Sequence, residues 1–70
     1  MGKTIAKSIE IHCEEDAKDY VATRITNYLY RTKDWIIGNI IIDTNQFETV
    51  EVIFLDGCEN VDELIEVLSF

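Results

Sequence analysis

Two runs of β-branched and aromatic residues, Trp35 to Asp43 (WIIGNIIID) and Gln46 to Leu55 (QFETVEVIFL), lie almost end to end. They constrain the fold more than any other feature of the chain. Asp43, Thr44, Asn45 and Gln46 between them are residues that favour turns, so the runs read as the strands of a hairpin. Alternation then divides their side chains between two faces. If Ile36, Ile40, Ile42, Val50, Val52 and Phe54 point one way, Trp35, Ile37, Ile41, Ile53 and Leu55 point the other. Both faces are apolar, and a hairpin is marginal in water unless other elements cover it.

The rest of the chain offers one more strand and two helices. Residues 4–13 (TIAKSIEIHC) alternate from Ser8 onward, with Ile9, Ile11 and Cys13 on one side and Glu10 and His12 on the other. That pattern is a strand with one buried face. Glu14, Glu15 and Asp16 follow, where negative charge suits the start of a helix. From about 15 to 32, Ala17, Val21, Ile25, Tyr28 and Leu29 form one apolar stripe, flanked by Tyr20, Arg24, Asn27 and Arg31. Asp56 and Gly57 close the last strand, and Asn60 with Glu63 reads as a capping box. Val61, Leu64, Ile65 and Leu68 then face inward from a final helix.

The order β-α-β-β-α in a single domain over residues 1–70 predicts a small α+β fold. Its sheet has three strands, mainly antiparallel, with both helices on one face. Placing the first strand beside the third gives a ferredoxin-type arrangement that lacks its last strand. A chain this short buries only about 60% of its unfolded surface, so self-association is an expected source of stability. With one sheet face uncovered, Trp35, Ile37, Ile41, Ile53 and Leu55 form the expected self-association surface, and a homodimer is the expected state. Gly38, alone within the apolar run, reads as a bulge or a close backbone approach.

Charge is distributed unevenly. Fourteen acids against six bases give −8, yet residues 34–70 hold nine acids and no base. Glu48, Glu51, Asp56, Glu59, Asp62, Glu63 and Glu66 make up the expected partner-binding face. The last four repeat at helical spacings of three and four, where each like-charge pair costs a few tenths of a kcal/mol. Such a surface disfavours direct contact with nucleic acid, which needs a basic footprint. It suits a protein partner with a basic surface. No run approaches the roughly 20 apolar residues of a membrane span, and the N-terminus lacks the apolar stretch of a secretion signal. A cytoplasmic protein with reduced Cys13 and Cys58 is expected, in a bacterium or a phage-infected cell.

Catalysis and cofactors find little support. His12 is the one histidine, and Cys13 beside it points to the opposite face of its strand, so the two make no nucleophile–base couple. His12, Cys13 and Cys58 lack the paired short spacing of a zinc site, and Asp56, Glu59, Asp62 and Glu63 lack the ligand pattern of a calcium loop. No phosphate loop, nucleophile elbow or H-E-x-x-H occurs. A non-enzymatic protein without metal or cofactor is expected.

In size, acidity and lack of catalytic residues the chain resembles, as a type, the small phage-encoded inhibitors of host defence nucleases, anti-CRISPR proteins among them. That resemblance implies nucleic-acid mimicry, with carboxylates occupying the basic groove of a protein and inhibiting it. It rests on no matched motif, so it carries over no site residues. Three other classes fit the composition. One is a small bacterial regulatory accessory domain, and another is a structural subunit assembling through the apolar sheet face. The third is a ligand-binding domain with a pocket at the dimer seam, where Tyr20, Arg24 and Arg31 meet an anion.

Overall fold

The computed structural model describes residues 4–68. Its elements are β1 (Ile5–His12), a single 3-10 turn (Glu15–Ala17), α1 (Lys18–Leu29), α2 (Lys33–Ile36), β2 (Ile40–Asp43), β3 (Thr49–Leu55) and α3 (Val61–Leu68). The strands form one antiparallel sheet in the order β1-β3-β2. The central strand is therefore the last in sequence, and the first strand lies beside the third, the placement that gives the ferredoxin-type arrangement.

Alternation along β3 places Val50, Val52 and Phe54 on one face, where they are fully buried. Ile25 and Leu29 from α1, Leu68 from α3 and Ile40 from β2 complete the core. Both long helices thus cover the same face, as the hydrophobic pattern predicts. Ile9, Ile11, Ile42, Leu64 and Ile65 pack around this centre. On α1 the stripe is rotated from its expected position: Ala22 packs against the core, whereas Tyr28 is about half exposed.

The structure departs from the sequence reading between Leu29 and Ile40. The first long helix ends at Leu29 and the strand begins at Ile40, with α2 between them. Local hydrogen bonds outcompete the strand preference of Trp35-Ile36-Ile37. The Thr32 hydroxyl donates to the Leu29 carbonyl at 2.8 Å and accepts from the Trp35 N–H at 3.2 Å, which caps α2. Gly38 ends the turn at φ +83°, with nothing near the position a Cβ would occupy. It is a left-handed terminator of a helical turn, not a bulge or a close approach. Trp35 consequently packs against the core, and Ile36, expected inside, is 71% exposed.

Asp34 holds this segment in place. Its carboxylate is buried and accepts from the Asn39 side-chain amide at 3.2 Å and from the Glu59 N–H at 3.1 Å. Its carbonyl accepts from the Asn39 N–H at 2.8 Å, and the Asn39 carbonyl accepts from Leu55 N–H at 2.9 Å. One carboxylate therefore joins α2, the start of β2 and the loop before α3. In that loop Asn60 takes φ 60°, not the extended conformation of an N-cap, and its carbonyl accepts from Leu64 N–H. The capping box expected at Asn60 and Glu63 is displaced by this left-handed turn.

Candidate interaction surfaces

The expected acidic face is divided by the fold. Glu48 precedes β3 and Glu51 lies near its start, whereas Asp56 lies beyond its other end, about 16 Å from Glu51 at roughly 3.3 Å per residue. Glu59, Asp62, Glu63 and Glu66 belong to the loop and helix after Asp56. Among the described residues, three of the seven have side-chain partners, Glu51 through Gln46 and two through the first strand's end of the chain. Asp56 accepts a hydrogen bond from the Thr4 hydroxyl, and Asp62 lies 3.2 Å from Lys7 Nζ. Both members of the Lys7–Asp62 pair are well exposed, so it contributes little to stability. Glu48 serves through its backbone: at φ 54° it donates its N–H to the Glu15 carboxylate at 2.7 Å and accepts from Cys13 N–H at 3.0 Å.

Register creates an acidic feature that composition does not reveal. Glu10 pairs with Glu51 across β1 and β3, and Asp43 pairs with Glu51 across β2 and β3. Direct cross-strand partners share a face, so three carboxylates line up across the sheet on the side away from the helices. Neighbouring strands lie about 4.8 Å apart, which sets the step of the row. Within it, Gln46 Nε2 approaches a Glu51 carboxylate oxygen at 3.4 Å.

The hydrogen bonds linking Glu48 with Glu15 and Cys13 gather the helix-start acids at the same end of the molecule. Glu14, Glu15, Asp16 and Asp19 there join Glu10, Asp43, Glu48 and Glu51. Lys18, in their midst, is buried with its Nζ 3.1 Å from the Glu15 carboxylate and 2.7 Å from the Thr44 carbonyl. The hydrogen bond from Glu48 N–H, assisted by Lys18, holds the Glu15 carboxyl below the ordinary glutamate value.

The apolar part of the open face is smaller than expected. Ile41 and Ile53 are cross-strand partners on it, with Leu55 opposite Ile5 nearby. Ile5 and Ile41 are exposed, and Ile53 and Leu55 are half-buried. Trp35 and Ile37 do not belong to this surface. Trp35 packs on the core, and Ile37, though exposed, lies in the turn that ends α2. Their absence follows from the shortened β2.

A groove of about 240 Å³ opens between β1 and α1, lined by Ile11, His12, Tyr20, Val21 and Arg24. Spacing on α1 puts Tyr20, Val21 and Arg24 on adjacent turns of one flank. The Arg24 guanidinium lies 5.9 Å from the Tyr20 ring centre, with Nη1 3.5 Å from the phenol oxygen. Hydrogen bonding to Tyr28 and Tyr20 pushes the Arg24 pKa up, so it stays a cation. The sequence suggested Tyr20 and Arg24 together, but Arg31 stacks instead on Tyr30 at 5.2 Å. His12 and Ile11 were missed as groove residues because strand alternation gives a face and not the neighbouring helix.

Cys58 is half-buried beside Asp34, and its thiol is pushed up to about 11, first by burial and then by the Asp34 charge. It is therefore a poor nucleophile at neutral pH. Among the described residues no group of His, Cys, Asp or Glu is arranged to hold a metal ion, and no helix is long and apolar enough to cross a membrane. No family model matches the chain, and comparisons with curated proteins and with solved structures returned no match.

Proposed function

We propose that the chain is a non-enzymatic interaction module that presents carboxylates to a basic, nucleic-acid-binding surface of a protein partner and so inhibits it. The observation that carries this reading is the in-register row Asp43–Glu51–Glu10 at an end of the molecule already crowded with acids. Like charges directly opposite one another cost stability, and folding gains nothing from such a row. A basic groove built for phosphates gains from it, because evenly stepped anions displace the nucleic acid and steer the encounter. The acids of α3 and its preceding loop add a second negative patch on the helix side of the sheet.

Displacement measures this function. A labelled DNA or RNA duplex is bound to each of a panel of purified nucleic-acid-binding proteins, and its fluorescence anisotropy is followed as this protein is added. At least one member releases the duplex at about 50 mM salt and retains it at about 500 mM, since screening shortens the range of attraction to a few ångströms. The double substitution Glu10→Lys/Asp43→Lys abolishes release, while reversal of Glu59, Asp62, Glu63 and Glu66 shows whether the helix-side patch takes part. Release undiminished in both variants removes the reading, as does a panel without release.

A second reading is favoured by the Ile41–Ile53 pair, with Leu55 and Ile5 nearby: self-assembly as a homodimer through the open sheet face. Removing this apolar patch from water is favourable by about 25 cal/mol per Å². The adjoining carboxylate row opposes close face-to-face approach of two copies.

A further inference from the structure

We infer that the free edge of β1 receives a fourth strand: an extended basic segment of a protein partner whose apolar side chains enter the groove between β1 and α1. The inference rests on the proposed function in taking the partner to be basic, and it adds how that partner is held.

The strand order β1-β3-β2 leaves β1 with a strand on one side only among the described residues. In the ferredoxin-type arrangement that this fold otherwise follows, that side is the place of the last strand. An unpaired edge offers backbone N–H and C=O groups as a template, and proteins usually blunt such edges with bulges and lysines. Here both devices sit in the first half of β1. The register shifts between Ile5 and Lys7, and Lys7 projects from the same stretch. From Ser8 to His12 the pairing is regular and neither device is present. The open template is therefore the half of β1 that adjoins the groove.

Edge and groove together form the arrangement by which sheets bind extended peptides. Main-chain hydrogen bonds supply affinity, and a pocket beside the strand selects alternate side chains. A strand added to β1 points every second residue toward the helix layer, into the space between Ile11, Tyr20, Val21 and Arg24. The remaining residues fall on the open face. The one level with Glu10 extends the row Asp43–Glu51–Glu10, so lysine or arginine there meets a carboxylate side by side. The pattern recognised is basic and apolar residues in alternation. Charge decides against a second copy of this chain: it carries −8 and would bring further carboxylates to the end that already holds eight.

The probe is a ten-residue peptide of alternating lysine and valine. Its partner is the same peptide with backbone N-methyl groups on alternate residues, which removes edge-facing donors and leaves charge unchanged. The alternating peptide is expected to bind at low salt and to slow amide hydrogen exchange within Ser8–His12. N-methylation is expected to weaken binding at least tenfold, and so is regrouping the same residues into a lysine block and a valine block. Equal binding of the parent and N-methylated peptides overturns strand addition while leaving the acidic-face reading intact. Failure of the alternating peptide to bind overturns it too. So does slow exchange of the Ser8–His12 edge amides without peptide, together with concentration-dependent mass, because the edge is then occupied by a second copy. Strand-like binding combined with failure of the displacement assay keeps the edge site and discards nucleic-acid mimicry.

Discussion

Replacing Asp34 by alanine tests how much of this small fold depends on one buried carboxylate. The substitution removes the acceptor for the Asn39 side-chain amide and for the Glu59 N–H. Hydrogen bonds to a charged group contribute about 1.5–3 kcal/mol each. The Glu59 N–H lies nearer the surface and regains water, and alanine also relieves the cost of burying a charge. The expected net loss is about 2–4 kcal/mol. A domain of this length has roughly 4–10 kcal/mol in total, so the variant should lose a large fraction of its stability. Urea denaturation followed by Trp35 fluorescence measures it: the midpoint should fall with little change in slope, since the surface exposed on unfolding is nearly the same. Asp34→Asn keeps one acceptor oxygen and should lose less. Coupling between Asp34→Ala and Asn39→Ala in a double-mutant cycle should exceed about 0.5 kcal/mol. If Asp34→Ala unfolds within about 0.5 kcal/mol of the parent protein, Asp34 does not hold α2 and the loop before α3 in place.

Other expectations follow from the same geometry. Glu15 titrates below the ordinary glutamate value, so its stabilising link to Glu48 is present above the unfolded-state pKa and lost as pH falls through the lower, folded one. Side-chain NMR titration should show that low midpoint, and Glu15→Gln should flatten the acid limb of a stability profile. Cys58, with a thiol near 11, should alkylate with iodoacetamide far more slowly at pH 7.5 than an unfolded control, and a comparable rate would contradict its burial beside Asp34. Glu51→Gln should raise stability by a few tenths of a kcal/mol by relieving repulsion from Glu10 and Asp43, whereas a loss would show that the row is not strained. Sedimentation at high micromolar concentration tests the sheet-face dimer: Ile41→Glu should abolish any dimer, and a parent protein that is already monomeric removes that reading.

Hydrophobic period made most of the fold legible. It gave the hairpin, the buried faces of β1 and β3, and the inward residues of α3, because each pattern persisted for several residues. It failed at Trp35–Ile37, where strand-type residues follow a threonine able to cap a turn and precede a glycine able to end it. Six local hydrogen bonds between Leu29 and Gly38 decided that segment against its strand preference. The acidic surface was legible as charge but not as a site. Alternation assigns Glu10, Asp43 and Glu51 to a face without saying who stands opposite whom, and register depends on pairings between distant parts of the chain. Counting charge along the sequence therefore favoured the second half and overlooked Glu10 and the acids at the start of α1.

The two seams of the sheet differ in how far the chain must travel to close them. β2 and β3 meet across a short turn, but β1 reaches β3 only after nearly the whole chain has been laid down. The contact that closes this seam over the shortest stretch, Cys13 N–H to the Glu48 carbonyl, joins residues 35 apart. Closing that loop costs more entropy than closing the hairpin turn, so the β2–β3 seam is expected to form first and β1 to dock after it. By microscopic reversibility β1 is then the first strand expected to leave, and its departure bares the edge of β3 that faces it while the other edge stays paired with β2. The seam expected to close last and open first is thus the central strand's junction with β1, the strand whose outer edge is unpaired among the described residues.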